Sequence, residues 1–420
     1  MIEDNSNIRT PIIRFQGFNG EWEKKKIGDI AIVLQGYGFP EKYQGQKYGD
    51  LPFCKVGDIS SAVDRGEMVI NKADNFVDYS LLPVLHAQPI PVGSTIFAKI
   101  GEAIRSNKRI RTGVPCLIDN NAAAVKSKGE ISDTFLFYLM SKVNLADYSG
   151  GIVPSVNKSM IEAIDVLVPS SRDEQQKIAE CLEAIDQMIS AQNQKVESLK
   201  AHKKGLMQQL FPQPGATTPA LRFPGFTGDW QEKPLCSLAV KVNQKNKDFA
   251  VTRVLTNSAT EGVVDQNAYF ERDIAVKDNT NNYYIVDKDE FVYNPRISST
   301  APVGPISINK VGKGIMSPLY TVFKFQQGHI AFFEQYFQTE IWHPYLKSIA
   351  NFGARFDRMN ITTDGFFNMP LFVPSIEEQQ KIAECLETLD FLIAAETKKL
   401  ESLKTHKKGL MQQLFPQPVK

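Results

Sequence analysis

A stretch of 41 residues occurs twice in this chain, and this repeat limits the possible folds more than any other feature. Residues 174–214 and 378–418 align without gaps, and 31 of the 41 positions are identical. Ser171 and Ser375 each lie three residues before a glutamate, which is the spacing of a helix-capping box. The sequence Phe-Pro-Gln-Pro ends each copy, and proline cannot continue a helix. The pattern predicts two long helices that begin and end in the same way.

Apolar residues in both copies alternate at spacings of three and four, which is typical of a coiled-coil seam. The seam positions are Ile178, Leu182, Ile185, Ile189, Val196, Leu199, Leu206 and Leu210 in the first copy, and Ile382, Leu386, Leu389, Ile393, Leu400, Leu403, Leu410 and Leu414 in the second. Polar residues interrupt the seam at Gln192, Lys203, Glu396 and Lys407. A helix from Arg172 to Leu210 would be about 58 Å long. We expect the two helices to pair antiparallel, although a generic bundle or dimerisation stalk shares this pattern.

A shorter repeat precedes each globular part of the chain. Residues 11–33 recur at 219–240, with aromatic residues and glycines at matched spacings. Phe18 and Trp22 correspond to Phe226 and Trp230. These aromatic residues either pack against the core of their own domain or form a surface that binds a partner protein. The second interpretation makes Phe18, Trp22, Phe226 and Trp230 candidate partner-binding residues.

The two globular parts have the same order of predicted elements but different sequences. Short β-rich runs dominate residues 27–167 and 238–373, with one predicted helix in each at 132–148 and 330–350. Predicted strands at 164–168 and 369–373 lead into the long helices. The fold class is therefore α+β, with two β-rich domains, two long antiparallel coiled-coil helices and an internal pseudo-two-fold repeat. The predicted boundaries are 1–170, 171–214, 215–374 and 375–420.

Composition and motifs exclude several classes of function. The formal net charge is +1, and the five cysteines form no CxxC pair, so neither a disulfide framework nor a zinc site is expected. No apolar run reaches membrane-spanning length and no signal peptide is evident, which indicates a cytoplasmic protein. There is no P-loop and no GxGxxG after a strand. Asn294-Pro-Arg-Ile lacks the second proline and the aromatic residue of the adenine methyltransferase motif. We therefore expect no catalytic residue, no metal site and no cofactor in this chain.

Basic and polar side chains cluster in loops at corresponding places of the two halves. Residues 99–111 carry five cations against one glutamate, and such a cluster can neutralise phosphates. Amide and guanidinium groups elsewhere in these loops could read base edges. Solvated loops are the alternative interpretation for each cluster alone. The candidate DNA-binding residues are Tyr37, Lys42, Tyr43, Gln44, Lys47, Lys99, Arg105, Lys108, Arg109, Arg111, Asn157 and Lys158 in the first half, and Asn281, Asn282, Asn294, Arg296, Ser298, Arg355, Arg358 and Asn360 in the second.

With these residues the chain resembles the specificity subunit of type I restriction–modification systems over essentially its whole length. The resemblance rests on the Glu-Gln-Gln-Lys-Ile-Ala start and the His-Lys-Lys-Gly-Leu-Met-Gln-Gln-Leu-Phe end of each repeat. It also rests on the Gly-Phe-x-Gly-[Asp/Glu]-Trp element before each globular part. Residues 53–59 (FCKVGDI), 294–296 and 317–320 look like parts of that family's target-recognition domains.

The resemblance implies a non-catalytic subunit whose two recognition domains each read half of a bipartite site on double-stranded DNA. The long helices would then set the gap between the halves, roughly one to one and a half turns of DNA. Two methyltransferase subunits, which carry S-adenosylmethionine, and motor–nuclease subunits would be the partners. Two other functions stay open from the residues themselves. One is a coiled-coil scaffold that links two protein-binding modules, and the other is a self-sufficient methyltransferase.

Overall fold

The computed structural model describes residues 9–213, 215–269, 280–351 and 357–416. The chain divides into two compact units, Met1–Glu197 with Ala395–Lys420, and Ser198–Ala394. The long helices are α6, Arg172–Leu210, and α12, Ile376–Leu414, and each has 39 residues. Because both unit boundaries fall inside these helices, each helix contributes residues to both units. The long helices are thus parts of the two units and not separate spacer domains.

The first unit is built from short strands around two long strands. Its strands are β1 Glu23–Lys26, β2 Ala31–Gln35, β3 Leu51–Cys54, β4 Val69–Ile70, β5 Phe76–Val77, β6 Thr95–Ala98, β7 Arg109–Thr112, β8 Leu117–Ile118, β9 Ala122–Ser127 and β10 Asp165–Val168. Its shorter helices are α1 Ile27–Ile30, α2 Val56–Asp64, α3 Leu82–Leu85, α4 Asp133–Lys142 and α5 Lys158–Glu162. Sheets form in the orders β2-β9-β6-β7-β4, β5-β3-β8 and β1-β10.

The second unit has the same plan with different loops. Its strands are β11 Gln231–Pro234, β12 Ala239–Lys241, β13 Leu255–Ser258, β14 Gly262–Asp265, β15 Tyr284–Val286, β16 Phe291–Tyr293, β17 Ile306–Ile308, β18 Gly314–Met316, β19 Thr321–Phe325 and β20 Pro370–Val373. Its shorter helices are α7 Leu235–Leu238, α8 Gln266–Tyr269, α9 Ile330–Phe337, α10 His343–Ile349 and α11 Thr363–Phe367. Sheets form in the orders β12-β19-β16-β17, β13-β14, β15-β18 and β11-β20.

The strand that enters each unit pairs antiparallel with the strand that leaves it for a long helix. In the first unit β1 pairs with β10, and Glu23 is opposite Val168. In the second unit β11 pairs with β20, and Gln231 is opposite Val373. The short aromatic repeat is therefore joined to the start of the long helix by hydrogen bonds across a two-stranded ribbon.

Within each unit, the segments of α6 and α12 run antiparallel. In the first unit Gln192 donates to the Glu396 carboxylate at 2.6 Å, and Lys407 lies 2.6 Å from Asp186. In the second unit Lys203 lies 2.6 Å from Asp390. The residue number falls on one helix as it rises on the other in both units. The polar interruptions of the predicted seam are thus the places where the helices exchange ion pairs and hydrogen bonds.

The seam residues also pack against the core of the adjoining unit. Ile178 and Leu182 belong to the first unit's core, together with Leu414 and Phe415 from the end of α12. In the second unit Leu210 at the end of α6 packs in a core with Ile382 and Leu386. Each globular part therefore buries much of the apolar surface that the sequence assigns to the helix–helix seam.

Three local features differ from the sequence prediction. The β-rich run 51–59 forms a strand only as far as Cys54 and continues as α2, whose start is closed by a hydrogen bond from the Lys55 amide to Asp58. The predicted helix 330–350 is two helices, because Pro344 has no amide hydrogen and stands at the first turn of a new one. At the start of α6 Ser171 accepts a hydrogen bond from the Glu174 amide, but the Glu174 side chain bonds elsewhere.

Candidate nucleic-acid interface

Two loops meet at the end of β6 in the first unit. The Gly101 amide donates to the Pro154 carbonyl at 2.8 Å, and the Val156 amide donates to the Lys99 carbonyl at 3.0 Å. Asn157 follows and accepts a hydrogen bond from the Met160 amide at 2.9 Å, which caps α5. The loop after the strand and the loop before the helix are therefore held together as one ledge.

The same ledge is present at the end of β16 in the second unit. The Ile297 amide donates to the Asp357 carbonyl at 3.1 Å, and the Met359 amide donates to the Pro295 carbonyl at 3.0 Å. This pattern makes Arg358 equivalent to Ser155, and Asn360 equivalent to Asn157. The sequence placed these loops at matching positions, and the structure agrees for the described residues. Arg355 lies outside the described residues.

Two exposed cations on the first ledge form weak surface ion pairs. Arg105 is exposed and lies 3.0 Å from Glu102, three residues away on the same turn. Lys158 is exposed and lies 3.7 Å from Glu162. Exposed ion pairs of this kind contribute little free energy, so a phosphate could replace either carboxylate. Arg105, Asn157 and Lys158 are accessible to a ligand.

The remaining cations of the basic cluster are bound inside the unit. Lys108 lies 2.6 Å from Asp64, and Lys99 donates to the Gln35 side chain. Partial burial lowers the pKa of Lys99 from its ordinary value. Both lysines thus shape the ledge, and neither has a free ammonium group.

Arg109 and Arg111 are corrections to the sequence prediction, because both lie in strand β7 and not in a loop. Arg109 is only 6% exposed, and its guanidinium donates to the carbonyls of Val143 and Asn107 at 2.7 and 3.1 Å. Burial lowers the pKa of Arg109 to about 9, which leaves it charged at pH 7. Arg111 donates to Glu183 of α6 at 2.5 Å and to Thr134 at 2.7 Å. Both guanidinium groups are bonded to protein groups, and Arg111 joins the sheet to the long helix.

Residues 37–47 form a second polar surface of the first unit. Lys42 and Lys47 are exposed, and Lys42 lies 4.7 Å from the centre of the Tyr43 ring. The side-chain amide of Gln44 is bonded within the unit, since it donates to the Phe39 carbonyl and accepts from the Lys55 ammonium group. Tyr37 forms a bridge to Asp119 through its backbone. Lys42, Tyr43 and Lys47 are the accessible candidates here, while Gln44 holds the loop in shape.

In the second unit one candidate is structural. Asn294 is buried, its side chain donates to the Asn257 carbonyl at 2.9 Å, and it accepts from the Arg296 amide at 3.1 Å. Both hydrogen bonds hold the turn after β16, so the Asn294 side chain is already bonded within the unit. Arg296, which it positions, is exposed.

The other described candidates of this unit reach its surface. Asn281, Asn282, Ser298 and Asn360 are exposed, and Arg358 is half-buried beside Asp357 at 3.7 Å. The Ser298 hydroxyl lies 3.1 Å from that of Thr300. These residues can contact a ligand without unfolding any part of the unit.

The repeated tryptophans are core residues and do not form a partner-binding surface. Trp22 packs edge-on against Phe415 with ring centres 5.8 Å apart, and Trp230 packs edge-on against Phe211 at 6.1 Å. Both tryptophans are buried, which corrects their prediction as partner-binding residues. Phe18 and Phe226 are half-buried, so the same prediction still stands for them.

Sequence reasoning missed an ion pair that occurs in both units. Arg14 donates two hydrogen bonds to Glu174 at 2.6 and 2.7 Å, and Arg222 donates two to Glu378 at 2.7 and 2.8 Å. Both glutamates are 1% exposed. The sequence could have indicated this pair, because the arginine and the glutamate each occur at the same place in both repeats. This pair fastens the aromatic element to the first turn of the long helix.

No helix in the described part of the chain is long and apolar enough to cross a membrane.

Comparison with known proteins identifies relatives of the whole chain. Residues 19–201 and 238–405 match the family described as Type I restriction modification DNA specificity domain. The putative type I restriction enzyme MjaX specificity subunit of Methanocaldococcus jannaschii is 24% identical, over 94% of this chain and 93% of the relative. The MjaVIII specificity subunit of the same organism is 23% identical, over 94% and 92%.

Two solved structures share the fold. The S subunit of a type I restriction–modification system from M. genitalium matches with a TM-score of 0.58 at 13% identity, over 97% of this chain and 99% of that one. A chain from a study of complex assembly and conformational transition in the type I R-M system matches with a TM-score of 0.52 at 14% identity, over 94% and 98%. The match extends over both units.

Proposed function

This chain belongs to the family of type I restriction–modification specificity subunits, which are non-catalytic, and we propose that each unit reads one half of a bipartite DNA site. The observation that carries the proposal is the ledge that occurs in both units. It has the same backbone hydrogen bonds in each, yet it presents Ser155 and Asn157 in one and Arg358 and Asn360 in the other. One frame with two different surfaces suits two different half-sites.

In this proposal, different residues make the phosphate contacts and the base contacts. Arg105, Lys158, Lys42 and Lys47 supply exposed cations that neutralise phosphates in the first unit. Arg296 and the amides of the polar loops can read base edges, since guanidinium and amide groups pair with two base atoms at once. Phosphate contacts fix the position of the duplex, and base contacts select its sequence.

In this proposal, the repeated segments of the chain bind a partner protein that is present in two copies. The helix starts are nearly identical in the two halves, and the aromatic elements share their aromatic residues and glycines, so they offer a similar surface to two copies of a methyltransferase subunit. Phe18 and Phe226 are the half-buried residues of that surface. S-adenosylmethionine and the methyl-transfer chemistry belong to those partners, and motor–nuclease subunits complete the complex. The proposal places this assembly in the cytoplasm, with the DNA.

The decisive experiment is single-molecule sequencing of DNA methylated by this chain together with its cognate methyltransferase. A bipartite methylated site with an unread gap is expected. Replacement of residues 31–167 by another recognition domain should change one half of that site only. Arg296→Ala should damage the other half. A methylated sequence without two separable halves would contradict the proposal, and so would a change in both halves after the replacement.

Changing the length of the long helices tests whether they set the gap between the two half-sites. Seven residues inserted at corresponding places of α6 and α12 should lengthen the unread gap while both half-sequences are retained. An unchanged gap would show that the helices do not set the spacing. A complex with no DNA affinity in the presence of the methyltransferase would favour a protein-binding scaffold instead.

A further inference from the structure

Residues 149–154 form a narrow loop with an apolar tip in solvent. Ile152 is fully exposed, and Val153 beside it is 60% exposed. Gly151 turns the chain with a φ of 88°, which glycine adopts without strain. Gly150 and Ser155 form a bridge across the turn. The two adjacent apolar side chains at the end of this loop form a small exposed surface that a ligand could cover.

The base of this loop is part of the first ledge. The Pro154 carbonyl accepts from Gly101, and the next hydrogen bond joins Val156 to Lys99. The tip therefore projects from the same frame that carries the exposed Arg105, Asn157 and Lys158. Proteins that kink DNA combine these two parts: an apolar side chain enters between bases, and nearby cations neutralise the phosphates.

The sequence of the tip argues against the methyltransferase as its ligand. A partner that binds both halves of the chain alike requires the same residues in both. Residues 149–155 read SGGIVPS, while the corresponding residues 352–358 read FGARFDR. The tip belongs to the part of the chain that differs between the halves, as the half-site proposal requires of a DNA contact.

We propose that Ile152 inserts at a base step of the half-site read by the first unit, and that Val153 packs against the neighbouring nucleotide. This inference rests on the proposed function. Insertion unstacks one step and bends the duplex, so the contact senses how easily the sequence deforms at that step. It adds a shape-dependent component to recognition that no polar residue of the ledge provides.

The test uses the complex of this chain with its methyltransferase and the site found by methylation sequencing. Ile152→Ser should weaken binding to the cognate duplex by about tenfold, the value expected when one buried isoleucine contact is lost. The dependence of affinity on salt should not change, because no phosphate contact is removed. Ile152→Leu should retain most of the affinity. Val84→Ser is the matched control, because it removes an exposed apolar side chain elsewhere in the same unit. It should not change the affinity for the cognate duplex.

A fluorescent base reports the insertion itself. With 2-aminopurine at successive positions of the first half-site, the wild-type complex should show increased fluorescence at one step, and Ile152→Ser should abolish it. Thermal unfolding of the variant should match the wild type, since the side chain is exposed. Wild-type affinity of Ile152→Ser, or an affinity loss without any fluorescence change, would overturn the insertion. If the wild-type complex showed no bipartite preference, the proposed function itself would fail.

Discussion

Arg14 donates two hydrogen bonds, of 2.6 and 2.7 Å, to the Glu174 carboxylate, and this pair joins the aromatic element of the first unit to the first turn of α6. The same arginine also donates to the Gly20 carbonyl, which closes the glycine turn before Trp22. One guanidinium thus joins the glycine turn, six residues further along the chain, to a helix start that is 160 residues away. Arg222 makes the corresponding contacts with Glu378 and Gly228.

Loss of Glu174 should destabilise the first unit selectively. Glu174→Ala leaves the mostly buried guanidinium of Arg14 without its carboxylate, which costs on the order of 3 kcal/mol. Hydrogen exchange measured by mass spectrometry should show faster exchange in peptides of the first unit. Glu378→Ala is the matched variant and should act on the second unit. Equal loss of protection in both units after either change would contradict this prediction.

The Lys203–Asp390 pair should respond unequally to removal of its two members. The Lys203 side chain is 11% exposed and that of Asp390 is 44% exposed. Asp390→Ala leaves a buried ammonium group, with Gln338 as the remaining partner among the contacts described, and should cost about 2–3 kcal/mol. Lys203→Met keeps the apolar stem and leaves a carboxylate that water can reach, so it should cost less than about 1 kcal/mol. Thermal unfolding of the two variants would check this order.

Arg105 and Arg109 should have different effects on DNA binding. Arg105→Ala removes an exposed phosphate contact and should lower the slope of log affinity against log salt by about 1. Arg109→Met should leave that slope unchanged, because the side chain is buried among protein groups. The measurement is fluorescence anisotropy of a labelled cognate duplex at several salt concentrations. A reduced slope for Arg109→Met would show that the buried arginine reaches the DNA.

His343 should make the second unit sensitive to mild acid. Desolvation lowers the pKa of His343 below its ordinary value of 6.5, so the folded state favours the neutral ring. As pH falls below 6.5, the unfolded chain takes up a proton that the folded chain does not, and stability decreases. The difference between unfolding temperatures at pH 7.5 and pH 5.5 should be smaller for His343→Gln. An unchanged difference would exclude His343 as a cause.

The long helices could be predicted from sequence because their pattern is local and is repeated. The first was predicted from Arg172 to Leu210, and those are its observed ends. The second runs from Ile376 to Leu414. The break before Pro344 was missed, although proline interrupts the hydrogen bonds of a helix and is visible in the sequence. Helix α2 was harder, because Val56 and Ile59 favour a strand and the deciding hydrogen bond is a single cap at Asp58.

The interface could be predicted only in part, because sequence does not show which way a side chain points. Residues 105–111 look like one basic loop, yet Arg109 and Arg111 share one face of β7, where they bond to Val143 and Glu183. Asn294 resembles a base-reading amide, and its hydrogen bonds serve its own turn. The apolar tip at Ile152 carried no polar signal and was not among the candidates. Correspondence between the halves was the more reliable guide, as the two ledges show.

The end of α12 completes the core of the first unit, where Phe415 packs against Trp22 and Phe135. During synthesis, the ribosome makes Trp22 nearly four hundred residues before the phenylalanine that covers it. The core around Trp22 therefore lacks two of its side chains, Leu414 and Phe415, until the end of α12 has been synthesised. Truncation before Phe415 would remove the ring that covers Trp22 and would leave this core open to water.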